Sequence, residues 1–134
     1  MEALDRLCEQ FEVETLYVFG SRAQEAFRFV SEGQAIPPDA RDLDIGVLPR
    51  RPLSVRQKIT LTLALEDILD VPRVDLVVLP EDDSFLAANI IRGERIYARY
   101  PHQADEYELY ILRRAGDLIP LERERLALLA ERRS

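Results

Sequence analysis

The sequence predicts an α/β fold in the broad sense that includes α+β proteins, with a mixed sheet of about four strands flanked by helices. Short runs rich in β-branched residues alternate with longer stretches whose apolar residues recur every three or four positions. With 134 residues, 47% of them apolar, the chain suits one domain with its own core. We therefore expect residues 1–134 to form a single domain, with a C-terminal helical segment from about residue 103.

The first part of the chain predicts a helix, a strand and a second helix before a loop. Apolar residues within 4–11 recur at helical spacing, and Cys8 lies on that stripe, so we expect it in the core. Residues 15–19 are β-branched or aromatic and predict a strand. Residues 22–30 carry apolar side chains on one helical face, whereas the glycine and prolines of 31–41 predict a loop.

The rest of the chain repeats the alternation of strand and helix. Residues 43–48 predict a strand that Pro49 ends. A helix is expected from 54 to about 70, and a strand over 74–79 follows it. Residues 84–92 predict a short helix that ends at a glycine, and 94–99 an edge strand.

The charge balance excludes several classes of partner. There are 18 basic and 25 acidic residues, a net charge of −7, so nonspecific nucleic-acid binding is disfavoured. No apolar run approaches the length of a membrane span, and the start of the chain lacks the pattern of a signal peptide. A single cysteine, Cys8, allows no internal disulfide. These features predict a cytoplasmic protein without membrane contact.

Three aspartates stand out by their positions in predicted strands. Asp42 and Asp44 lie two residues apart at the start of a strand, which places both side chains on one face. Asp75 lies within the apolar run 74–79, a strand expected to be buried on both faces, where a charge needs a partner or a metal ion. If the two strands are neighbours, the three carboxylates converge into a site suited to Mg²⁺ or Mn²⁺. Without Asp75, the first two aspartates have an alternative interpretation. Asp42 caps or ends the loop, and Asp44 faces solvent at the edge of a strand.

A second candidate site lies where the first strand meets the second helix. Gly20 allows a phosphate to approach the backbone, and the following helix start offers free N–H groups. Ser21 can hold a terminal phosphate by its hydroxyl, and Arg22 can assist by its charge. Alternatively, Ser21 and Gln24 form a capping box that requires no ligand.

These motifs together resemble a known family. The sequences FGSRA at 19–23, DLDI at 42–45 and VDLV at 74–77 resemble the minimal nucleotidyltransferases of the polymerase β-like superfamily. The resemblance implies a nucleotidyltransferase fold that uses ATP as substrate with Mg²⁺ or Mn²⁺. Many members are antitoxins encoded beside a helical ribonuclease toxin of the HEPN class, and they transfer AMP from ATP to a toxin tyrosine.

The resemblance also implies roles for particular residues. Gly20 and Ser21 would hold the triphosphate. Asp42 and Asp44 would bind the metal, and Asp75 would complete the catalytic site as a base or as a further metal ligand.

The chain departs from the family pattern after Ser21. The segment from Arg22 to Arg41 has twenty residues, roughly twice the usual spacing, and Gln24 and Glu25 stand where a glycine is common. The longer segment is expected either to fold over the site as a lid or to hinder it.

Three functions follow from this pattern. The first is AMP transfer to a tyrosine of a HEPN-type toxin, the second is an antitoxin that acts by binding alone, and the third is a nucleotidyltransferase for a small molecule such as an antibiotic. The helical segment from residue 103 and four tyrosines late in the chain offer surface area for a docking partner. These tyrosines are Tyr97, Tyr100, Tyr107 and Tyr110. The sequence leaves open whether the chain forms a homo-oligomer or a hetero-oligomer.

Overall fold

A computed structural model describes residues 1–38, 41–80 and 83–116, in which five α-helices, a short 3-10 turn and four strands surround one sheet. In chain order the elements are α1 (Glu2–Gln10), β1 (Val13–Phe19), the 3-10 turn (Gly20–Arg22), α2 (Ala23–Glu32), β2 (Leu43–Pro49), α3 (Val55–Leu69), β3 (Val74–Val78), α4 (Ser84–Ile91), β4 (Glu94–Ala98) and α5 (101–116).

The sheet is mixed and has the strand order β3-β2-β1-β4. β1 pairs antiparallel with β2 on one side and with β4 on the other, while β2 and β3 are parallel. This confirms the predicted fold class and the edge position of residues 94–98. Helix α5 begins at residue 101, slightly before the predicted 103, because Pro101 suits the first turn of a helix. The part of the predicted helical segment beyond residue 116 lies outside the described residues.

One prediction about β3 was wrong. The apolar run 74–79 was expected to be buried on both faces, but β3 is an edge strand and Asp75 is exposed. Its apolar side chains pack partly on each face of the sheet, while the outer edge stays open. The chain leaves β3 through α4 and adds β4 on the far side of the sheet, so no strand covers that edge in the described residues.

The sheet separates two apolar clusters. Alternate residues of β1 and β2, such as Leu16 and Ile45, face α1, α2 and α3. The opposite face, which includes Phe19, packs against α4 and α5 through Ile90 and Ile111. Cys8 is buried in the first cluster as predicted, and burial raises the pKa of its thiol to about 12, so it stays protonated and unreactive.

Helix α3 begins with a complete capping box. The Ser54 hydroxyl oxygen accepts a hydrogen bond from the Gln57 backbone N–H at 3.1 Å, and the Ser54 N–H donates to the Gln57 side chain at 2.8 Å. This cap satisfies donors that a helix start otherwise leaves free. None of the helices in the described ranges is long and apolar enough to span a bilayer.

Candidate active site

The structure brings the three predicted aspartates to one end of the sheet. Asp42 directly precedes β2, and the parallel register pairs Asp44 with Asp75 on the neighbouring strand. Side chains of register partners and of residues two apart share a face, so the carboxylates project from the same side. That side is the one covered further along by α4 and α5.

The three carboxylates interact electrostatically. The pKa of Asp44 is raised, first by partial burial, then by the negative charge of Asp75 and then by that of Asp42. Within the described ranges, no group of three His, Cys, Asp or Glu side chains is already arranged to hold a metal ion. The acids therefore repel one another across a gap, an arrangement that a divalent cation and its other ligands would relieve. Carboxylate oxygens are the donors that Mg²⁺ and Mn²⁺ prefer, so the donor set fits such an ion.

Gly20 lies directly against this acidic group. Phe19, the last residue of β1, pairs with Asp44, and Gly20 then turns the chain with φ +78°. A Cβ atom at Gly20 would lie only 2.6 Å from the Asp44 Oδ2 atom. Glycine adopts this positive φ without strain and has no Cβ atom to collide with Asp44. The backbone that enters the 3-10 turn therefore lies close to the Asp44 carboxylate.

The capping alternative for Ser21 is not realised. Ser21 is exposed, the N-cap of α2 is Arg22, and no side chain caps this helix. Gln24, the other half of the predicted capping box, donates instead to Glu94 Oε1 at 3.3 Å. The Ser21 hydroxyl is thus left at the surface beside Gly20, where a ligand can reach it.

We expect Ser21→Ala to leave the free energy of unfolding nearly unchanged and to weaken ATP binding. Ser54→Ala is the matched control, because it removes a real cap and should cost about 1 kcal/mol of stability without changing ATP affinity. Thermal unfolding and nucleotide titration on both variants check this. A Ser21→Ala protein that unfolds earlier and binds ATP normally would restore the capping interpretation.

Arg22 does not occupy the place that the sequence suggested. Its side chain is only 1% exposed, and all three guanidinium nitrogens donate to protein oxygens. Nε bonds Glu25 at 3.0 Å, Nη1 bonds the Arg41 carbonyl at 3.0 Å and Nη2 bonds the Pro37 carbonyl at 2.7 Å. These bonds use three of the five guanidinium N–H groups, and burial keeps the side chain away from the surface at which a phosphate would bind. Arg22 thereby ties residues 37 and 41 to the start of α2, next to Asp42.

The described part of the longer segment does not form a lid over the aspartates. Ile36 is buried in the cluster that contains Leu43, on the face of the sheet opposite to Asp44. Together with the Arg22 bonds, this contact fixes residues 33–38 against the core. Asp39 and Ala40, which complete the segment before Arg41, lie outside the described residues.

Sequence reasoning missed a cleft beside Gly20. Its volume is about 380 Å³, and it is lined on the far side by Asn89 and Arg92 from the end of α4. An arginine before a glycine at a helix end carries no special signal in the sequence. Only the packing of α4 against β1 brings it to this place.

Comparison with solved structures shows the same fold over nearly the whole chain. A toxin–antitoxin crystal structure with AMP-PNP matches with TM-score 0.67 and 19% identity, covering 99% of this chain and 98% of that chain. A tri-AMPylated Shewanella oneidensis HEPN toxin in complex with its MNT antitoxin matches with TM-score 0.63 and 18% identity, over 99% and 95%. The toxin–antitoxin structure MntA-HepT gives TM-score 0.62 and 18% identity, over 99% and 96%.

Family comparison agrees with this fold. No curated protein is a significant match to the chain. Residues 2–102, however, match the family described as polymerase beta, nucleotidyltransferase, and this range contains Gly20 and the three aspartates. The chain therefore belongs to the polymerase beta nucleotidyltransferase family.

Proposed function

We propose that this protein transfers AMP from ATP to a hydroxyl group, that the acceptor is a tyrosine of a HEPN-type toxin, and that it thereby acts as an antitoxin. The observation that carries the proposal is the convergence of Gly20 with Asp42, Asp44 and Asp75 at one end of the sheet. Family membership supports the nucleotidyl transfer. The toxin–antitoxin neighbours, one of them with an AMPylated toxin, support the acceptor.

In the proposed reaction the acceptor oxygen forms a bond to the α-phosphorus of ATP. The bond from that phosphorus to the bridging oxygen breaks, and pyrophosphate leaves with the electron pair. A divalent ion held by the carboxylates would supply positive charge that stabilises the phosphates in the transition state. Gly20 lets the triphosphate approach the backbone, and the Ser21 hydroxyl donates a hydrogen bond to it.

The open edge of the sheet suits an acceptor carried by another protein. Asp75 is exposed on the edge strand β3, so a hydroxyl approaching from outside can reach it and give up its proton there. A cavity of about 660 Å³ does exist in the described part of the chain, but Leu48 and Leu79 place it at the other end of β2 and β3. It is therefore poorly placed as a pocket for a small-molecule acceptor.

The experiment is to incubate the protein with ATP, Mg²⁺ and the product of the adjacent gene, and to measure the intact mass of that partner. We expect a mass gain of one or more AMP groups with the wild type and none with Asp44→Asn. A stable complex without a mass gain would instead indicate an antitoxin that acts by binding alone. AMP transfer to a small hydroxylated compound, with no complex, would contradict both protein-partner functions.

A further inference from the structure

We infer that Arg92, with Asn89 beside it, binds the terminal phosphates of the nucleoside triphosphate and the pyrophosphate that leaves; this rests on the proposed function. Both side chains are exposed and line the cleft of about 380 Å³ whose near wall is Gly20. The inference adds a cationic subsite that the sequence motifs do not contain.

The position of Arg92 is fixed by the packing of the turn that follows it. A side chain at Gly93 would collide with the Val18 carbonyl and would lie 2.9 Å from the Phe19 Cα atom. The end of α4 is thus pressed against the last residues of β1, immediately before Gly20. The Gly93 N–H donates to the Ile90 carbonyl at 3.1 Å, which closes the turn. Arg92 is therefore held by the backbone at the mouth of the cleft.

The negative charges of the triphosphate and of the three aspartates favour a further cationic side chain at this site. A triphosphate next to three carboxylates needs positive charge beyond that of a metal ion, yet the Arg22 side chain is buried and bonded to Glu25 and to the carbonyls of residues 37 and 41. The Arg92 guanidinium makes no hydrogen bond or ion pair with any other described residue, and it is the cation that lines this cleft. The acidic residue of the cleft, Glu94, accepts a hydrogen bond from Gln24. Arg92 is free to donate to phosphate oxygens in a bidentate manner.

The order of the aspartates, Gly20 and the cleft along the site indicates which phosphates reach Arg92. The α-phosphorus must lie at the aspartates, where the acceptor arrives, and Gly20 separates them from the cleft. The phosphates that extend past Gly20 are therefore the β and γ groups. Negative charge develops on these groups as pyrophosphate leaves, so a fixed cation there favours the transition state as well as binding.

The test is equilibrium binding of ATP, AMP and inorganic pyrophosphate to the full chain in Mg²⁺. We expect Arg92→Met to weaken ATP and pyrophosphate binding roughly 10- to 100-fold, to change AMP binding less than about threefold, and to leave the melting temperature unchanged. Arg92→Lys should recover part of the affinity. Arg56→Met is the control, since it removes the same charge from an exposed position on α3.

Two results would overturn the inference alone. They are ATP binding by Arg92→Met within twofold of the wild type, and equal losses for ATP and AMP. If Ser21→Ala loses ATP affinity while Arg92→Met does not, the proposed function stands and the role of Arg92 is rejected. A wild-type protein that binds neither ATP nor pyrophosphate would overturn both.

Discussion

Replacing Asp44 with Asn is expected to remove nucleotidyl transfer and, at neutral pH, to raise the free energy of unfolding. The loss of rate should be on the order of 100-fold or more, because a catalytic metal contributes several kcal/mol and about 1.4 kcal/mol is tenfold. The gain in stability follows from the raised pKa of Asp44, which shows that its charged form is disfavoured by burial, Asp75 and Asp42. The native site therefore carries a charge arrangement that opposes folding until a cation is present.

The pH dependence of this effect has a definite sign. A carboxyl whose pKa is raised on folding binds its proton more tightly in the native state, so its cost is absent well below the ordinary value of 3.8. The cost grows as pH rises from the ordinary value to the raised folded pKa, and it is constant above the folded pKa. The stability difference between Asp44→Asn and wild type should thus be largest near neutral pH and vanish in acid.

Denaturant unfolding at several pH values checks the stability, and Mn²⁺ titration with and without ATP checks the site. Wild type should bind Mn²⁺ much more tightly when ATP is present, and Asp44→Asn should lose that binding. Asp67→Asn, at an exposed position on α3, controls for the change in net charge. Equal Mn²⁺ binding by Asp44→Asn and wild type would contradict the proposed ligand role.

Replacing Arg22 with Met is expected to destabilise the protein by about 2–3 kcal/mol. The substitution removes a partly buried ion pair with Glu25 and the guanidinium hydrogen bonds to the carbonyls of Pro37 and Arg41. Protease cleavage within residues 33–38 should become faster, since the side chain that holds this segment is gone. Transfer activity should also fall, because Arg41 directly precedes Asp42.

The same variant separates the two interpretations of Arg22. If Arg22 contacted phosphate, Arg22→Met would keep its melting temperature and lose only ATP affinity. Arg28→Met, an exposed change on the same helix α2, is the matched control and should alter neither property. Denaturant unfolding and limited proteolysis of both variants distinguish the outcomes.

The sequence predicted the elements well because each depends on local pattern. The apolar periodicity of α1 and α3 and the β-branched runs of β1 and β2 place their residues without reference to the rest of the chain. The pairing of Asp44 with Asp75 could also be anticipated, on the condition that the two strands are neighbours. The open edge at Asp75 could not, because an apolar strand does not reveal its place in the strand order.

The features of the candidate site that the sequence motifs did not indicate have a common physical origin. The acceptors of Arg22 include backbone carbonyls 15 and 19 residues further along, which no side-chain pattern announces. The cleft at Arg92 likewise exists only because Gly93 allows α4 to approach β1 closely. Contacts that depend on backbone atoms of distant segments are therefore the part of the site that the motifs leave out.

The central position of β1 also determines when a growing chain can complete its fold. One edge of β1 is covered only by β4, which pairs Thr15 with Ala98 and Val18 with Glu94. Pairing across so much of the chain slows folding, and until it forms the exposed strand edge invites pairing with other chains. A polypeptide that stops before Glu94 contains Gly20 and the aspartates, yet it lacks the strand that completes the sheet beneath them. During synthesis, the residues that carry the chemistry emerge early and must wait for β4 before the sheet can hold them in place.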